Sequence, residues 1–206
     1  MNLEPLSFVV KIIIICFSIV GLYYNTGLDK KRFKKVSLIY FTNLNLLFCL
    51  IYFVLSILLG NKQLLNDFIG FIIICVTVTM IVNHFILVPN NKKTSYSYKN
   101  FSFSDIVVHY LVPVITIAYW IIFMEKGHFE YYYPFIWTIP FLIYILIIIF
   151  RAHYGKLLED SKTRYPYHFI DIDKLGVRKF GKNVLIVSLL IIILGYVFLL
   201  IDFLLK

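Results

Sequence analysis

Six near-continuous apolar stretches of close to twenty residues divide the chain, at 6–24, 39–60, 68–89, 106–125, 134–150 and 184–205. A run of that length is what a helix needs to cross the hydrocarbon of a bilayer, and only helices satisfy their backbone there one segment at a time. The pattern therefore predicts an all-α protein: a polytopic membrane bundle of six transmembrane helices forming a single integral membrane domain over residues 1–206. The first stretch lacks a basic start and a small-residue cleavage site and is followed by five like it, so it is expected to be retained as a span. Pro113 and Pro140 fall inside spans and are expected to kink them.

Composition supports this reading. Hydrophobic residues make up 61% of the 206, charged residues 15%, and the mean hydropathy is +0.86. Soluble domains are nearer half apolar and a quarter charged. The net charge of +9 would point to nucleic acid in a soluble protein, but the basic residues lie between apolar runs, where they read as topology signals and contacts to anionic membrane lipids. No nucleic-acid partner is expected.

An even number of spans puts both termini on one side, so the loops form two sets. Sixteen of the twenty lysines and arginines fall in the odd loops: Lys30, Lys31, Arg32, Lys34 and Lys35 in the first, Lys92, Lys93 and Lys99 in the third, and eight between Arg151 and Lys182 in the fifth. Lys11, Lys62, Lys126 and Lys206 make up the other set. The positive-inside rule then predicts cytoplasmic odd loops and outward-facing termini in a cell membrane. Tyr23, Tyr24 and Tyr131–Tyr133 fit interfacial belts, and Trp120 and Trp137 read as anchors near the outer boundary. The segment 151–183 reads as one long polar loop over the cytoplasmic mouth of the bundle. Lys11 and Asp202, near the outer face, read as an ion pair or as solvated groups without a function.

Polar residues inside the spans carry the candidate chemistry. Thr42 and His109 each lie about three residues in from the cytoplasmic side, roughly 4.5 Å at the helical rise, and His84 about five residues in, roughly 7.5 Å. Thr42, Asn43, Asn45, His84 and His109 thus belong to one layer. A hydroxyl, two amides and two imidazoles there can hold a polar head group, or do nucleophilic chemistry with histidine taking the hydroxyl proton. They serve equally as interhelical bonds and interfacial groups. In the fifth loop, His168 and Asp171 are either catalytic partners or groups that fix the loop against headgroups. Cys16, Cys49 and Cys75 have no close partner in sequence, so neither a disulfide nor a metal site is expected, and no cofactor is implied.

Three motifs, Tyr40-Phe41-Thr42-Asn43-Leu44-Asn45-Leu46-Leu47, His109-x-x-x-Pro113 with Trp120 following, and Tyr165-Pro166-Tyr167-x-Phe169-x-Asp171 with Gly176, resemble a prokaryotic family of small six-span membrane proteins. That family is distantly similar to the eukaryotic androgen-induced and androgen-dependent membrane hydrolases. The resemblance covers nearly the whole chain. It implies a threonine hydrolase of fatty-acid esters, with Thr42 as nucleophile and His109 as its catalytic histidine; Asn43, Asn45 and His84 are then candidates to bind the substrate. Two departures stand out: Asn45 occupies the place of an acidic residue, and the histidine-to-proline spacing is one residue shorter.

A different class stays open, a non-enzymatic lipid-binding or small-molecule-binding protein such as a transporter subunit. Such subunits dock through small residues on early helices, and with only Ala118 and Ala152 in the chain, close helix packing is not expected. Neither Gly-x-Ser-x-Gly nor His-Glu-x-x-His occurs, and no acidic residue stands in mid-membrane to couple protons.

Overall fold

The computed structural model describes residues 3–60, 63–90, 102–158 and 163–206. The basic residues Lys62, Lys92, Lys93, Lys99 and Lys162 lie outside these. Among the described residues all regular structure is helical, and six helices are long and apolar enough to cross a membrane: α1 (Glu4–Asn25), α2 (Phe41–Leu59), α3 (Leu64–Asn90), α4 (Phe103–Phe123), α5 (Tyr133–Tyr154) and α6 (Ile172–Leu204). The all-α six-helix bundle read from the hydropathy pattern is the architecture observed.

The most enclosed helix is α3, 61% buried against 17–44% for the others, and it packs against α2, α4 and α6. Around it, α1 lies against α2 and α4, and α5 against α6. The outward faces remain strongly apolar, with Phe8, Leu58, Phe85, Leu146 and Phe203 all exposed. In water that surface would be an aggregation patch; in lipid it is the solvated face.

Helix contacts are closer than the scarcity of alanine implies, because glycine supplies the small residues. A Cβ on Gly21 of α1 would stand 2.6 Å from Val108 of α4, and one on Gly195 of α6 would stand 2.7 Å from Pro134 of α5. The expectation of loose packing is thus corrected at these two crossings. Gly21 in particular lets α1 press against the turn that carries His109.

The prolines act differently from one another. Pro113 follows a π-turn at Val107–Leu111, and Pro89 follows another at Asn83–Leu87, each two residues past the end of the turn. A proline has no N–H and crowds the carbonyl four residues back, and widening the preceding turn relieves that crowding. Pro140, by contrast, sits within a continuous α5.

Two further expectations are corrected. Trp120 and Trp137 are buried, not interfacial, because the α4–α5 connection folds Phe129 back onto both: it stacks on Trp120 at 5.5 Å and meets Trp137 edge-on at 5.1 Å. Tyr131 and Tyr132 do face outward. The segment 151–183 is not one long loop. Asp171 caps α6 by accepting the Lys174 N–H at 3.2 Å, and the helix starts twelve residues before the apolar run, turning at Gly176. Gly176 has φ +71°, a conformation an L side chain rarely takes.

Lys11 and Asp202 take separate partners. The ammonium of Lys11 donates to the Ser56 carbonyl at 3.4 Å, whereas one carboxylate oxygen of Asp202 accepts the Gly127 and Phe129 N–H groups, both at 2.9 Å. Asp202 therefore holds the α4–α5 connection and is buried for that purpose.

Candidate functional site

The N-termini of α2, α4 and α6 meet at the end of the bundle that carries the odd loops. Thr42 is the second residue of α2, whose first turn has backbone N–H groups that no carbonyl within the helix can satisfy. Its hydroxyl lies 3.5 Å from His109 Nε2, at the outer limit of a hydrogen bond. His109 stands inside the π-turn of α4 and is buried.

The other imidazole nitrogen is held far more tightly. His109 Nδ1 lies 2.7 Å from a carboxylate oxygen of Asp105 and 3.2 Å from the Asp105 carbonyl. Both partners are acceptors, so the proton belongs on Nδ1 and Nε2 is left with a lone pair facing Thr42. Asp105 is itself fixed: Ser102 caps α4 by accepting the Asp105 N–H at 3.2 Å, and a carboxylate in a first helical turn is favoured by the aligned peptide dipoles. Carboxylate, imidazole and hydroxyl thus stand in one line, Asp105 to His109 to Thr42.

Sequence reasoning misses Asp105, because it lies one residue outside the apolar stretch 106–125. The signal was present as Asp105-x-x-x-His109, a four-residue spacing that puts both side chains on one face of a helix.

Tyr167 was also not singled out as a site residue, although it sits in the third motif. The segment 163–171 is folded onto the bundle with Tyr165, Tyr167, Phe169 and Ile170 buried. It is tied down by Arg151 donating to the Arg164 carbonyl at 2.7 Å, by the Arg164–Asp173 ion pair at 2.9 Å and by Asn183 donating to the Phe169 carbonyl at 2.7 Å. This places the Tyr167 hydroxyl 3.5 Å from the Thr42 hydroxyl and 3.3 Å from the Thr42 backbone N–H, which donates to it. Asp171 and His168 in the same segment do not reach Thr42. Asp171 accepts from Thr163 at 2.7 Å as well as capping α6, and His168 opens the short turn that leads into it.

Thr42 and Tyr167 lie on the wall of a narrow apolar cleft, open at its mouth, whose enclosed space has room for about one water molecule. Phe41, Val78, Val82, Phe141, Ile145 and Val187 make up much of its lining. His109 reaches Thr42 without itself lining the cleft.

The three remaining candidates from the sequence go elsewhere. Asn43 donates to the Ser37 carbonyl at 2.7 Å and accepts from Asn25 at 2.8 Å, and Asn25 in turn accepts from Ser104 at 2.7 Å. This chain links α1, the turn before α2 and the first turn of α4, and so sets the spacing between Thr42 and His109. Asn45 uses its amide hydrogens on the Cys75 carbonyl at 3.0 Å and the Thr79 hydroxyl at 2.8 Å, which crosslinks α2 to α3. His84 is exposed on α3 and pairs with the Tyr110 hydroxyl at 3.0 Å. The structure joins Thr42 and His109, adds Asp105 and Tyr167, and gives Asn43, Asn45 and His84 other partners.

No family model matches the chain, and no curated protein or solved structure is significantly similar to it.

Proposed function

We propose that this multi-pass membrane protein is an intramembrane threonine hydrolase that acts on lipid or fatty-acid esters. The observation that carries this reading is the alignment of Asp105, His109 and Thr42 beside an apolar cleft. It agrees with the resemblance of the three motifs to the androgen-induced type of hydrolase, which assigns the same threonine and histidine.

In the reaction, the Thr42 oxygen attacks the ester carbonyl carbon while its proton passes to His109 Nε2, and the carbonyl π electrons move onto oxygen. Collapse of that adduct breaks the bond to the alcohol, which leaves with the proton from His109. An acyl-threonine remains. Water then repeats the sequence with His109 again as base, releasing the fatty acid. Asp105 keeps the imidazole in the correct tautomer and stabilises the imidazolium that forms in each half. For the proton to pass, the 3.5 Å separation has to shorten to ordinary hydrogen-bond reach as the substrate orders the hydroxyl.

The reading is tested by treating the purified protein with an alkyl fluorophosphonate and mapping the adduct by peptide mass. A single adduct on Thr42 is expected. Absence of labelling, or labelling elsewhere in the chain, would favour the other reading, a lipid-binding protein that holds an acyl chain in the cleft without turnover.

We place the site on the cytoplasmic side of the cell membrane, following the bias of lysine and arginine toward the odd loops. A cysteine introduced at Lys31 should then be shielded from an impermeant maleimide in intact cells, and one at Glu130 should react. The reverse pattern would invert the topology.

A further inference from the structure

We propose that the Tyr167 hydroxyl is the oxyanion donor of this site, an inference that rests on the hydrolase reading. When the Thr42 oxygen adds to an ester carbonyl, the oxygen that acquires charge shares a carbon with it. A donor must therefore stand within a few ångströms of the Thr42 hydroxyl, on the side open to substrate. Tyr167 meets both conditions: its hydroxyl is 3.5 Å from that of Thr42, and both residues line the apolar cleft. His109 approaches Thr42 without lining the cleft, so base and donor do not compete for one position.

The direction of the phenol proton follows from what surrounds its oxygen. The Thr42 N–H donates to the Tyr167 oxygen at 3.3 Å. With that donor on one lone pair and the Thr42 hydroxyl free to donate to His109, the phenol O–H can turn toward the Thr42 oxygen and the cleft. The ring cannot swing away, since it stacks on Phe169 at 5.5 Å and meets Tyr40 edge-on at 5.6 Å. Burial pushes the Tyr167 phenol up to about 12, so it keeps its proton through the neutral range and retains an O–H to donate. Nearby alternatives are committed: the Asn45 amide to Cys75 and Thr79, and the Tyr144 hydroxyl to the Ile39 carbonyl at 3.0 Å. A positioned donor of this type acts mainly on the transition state, where charge is greatest.

The test compares full-length wild type, Tyr167→Phe and Thr42→Ala in detergent micelles with 4-nitrophenyl octanoate as substrate. Wild type should turn over in a Thr42-dependent manner. Tyr167→Phe should lower kcat by about a hundredfold, as loss of one oxyanion donor does, with little change in KM and a matching fall in the rate of fluorophosphonate inactivation. Incorporation of 3-fluorotyrosine at 167, which preserves both ring and donor, should restore kcat. Full kcat in Tyr167→Phe beside an inactive Thr42→Ala would overturn the role of Tyr167 and leave the hydrolase standing, as would equal losses in the phenylalanine and fluorotyrosine proteins. Wild-type turnover no greater than that of Thr42→Ala would overturn both.

Discussion

Thr42→Ala is expected to abolish ester turnover while the protein remains folded. In hydrolases of this design, loss of the nucleophile lowers kcat by about 10⁶, which in a slow enzyme means a rate indistinguishable from background. The effect on stability should be small. The Thr42 hydroxyl makes two contacts of 3.5 Å, each at the weak end for a hydrogen bond, and its side chain is half-buried. Losing them should cost about 1 kcal/mol or less. That combination separates a reacting group from a structural one: a threonine kept for interhelical bonding would show the opposite balance, a lowered unfolding temperature and unchanged turnover. His109→Ala should be equally inactive, and the double variant no worse than either, because the two act as one unit. Turnover surviving in either single variant would refute the assignment.

The second large effect is expected at Asp105. Asp105→Asn preserves shape and leaves the cap at Ser102 in place, but the new amide can donate to His109 Nδ1 and drive the imidazole into the other tautomer. Nε2 would then carry the proton and could not accept one from Thr42. Where a buried carboxylate plays this part, such a change lowers kcat by about 10⁴ with geometry intact. A modest loss of stability accompanies it, about 0.3–1 kcal/mol, from removing a negative charge near the N-terminus of α4. The 2.7 Å contact between Asp105 and His109 is the shortest link in the site, and unchanged kcat in Asp105→Asn would mean that it serves folding alone.

These two residues mark how far the sequence could be read. Thr42 was legible because a hydroxyl at a set depth in an apolar run is conspicuous, and His109 for the same reason. Asp105 was hidden by the boundary itself. It lies one residue before the apolar stretch, where a charged residue reads as solvent-facing, and yet a capped helical turn draws it inside. Tyr167 was visible within a motif, but its position over Thr42 depends on the folding-back of a segment more than a hundred residues away in sequence. The tryptophans illustrate the same limit. Their type and depth fit an interfacial belt, and only the return of Phe129 shows them to be packed inside.

Asn43, Asn45 and His84 share the depth of Thr42 and His109 but not their direction. Depth is set by distance along a helix, which sequence counts directly at a known rise per residue. Direction around the helix axis is another matter. In water the apolar stripe of a helix reveals its inward face, whereas in lipid both faces are apolar and that signal fades.

The sequence by itself therefore determined that the chain is all-helical, that it has six segments able to cross a membrane, and that a polar layer lies near one end of them. All three follow from transfer energies summed along the chain. The tertiary structure alone decided which members of that layer meet. Close crossings at glycine, π-turns ahead of Pro89 and Pro113 and the folded-back segment carrying Tyr167 fix the rotation of each helix against its neighbours, and that rotation is a property of the packed bundle.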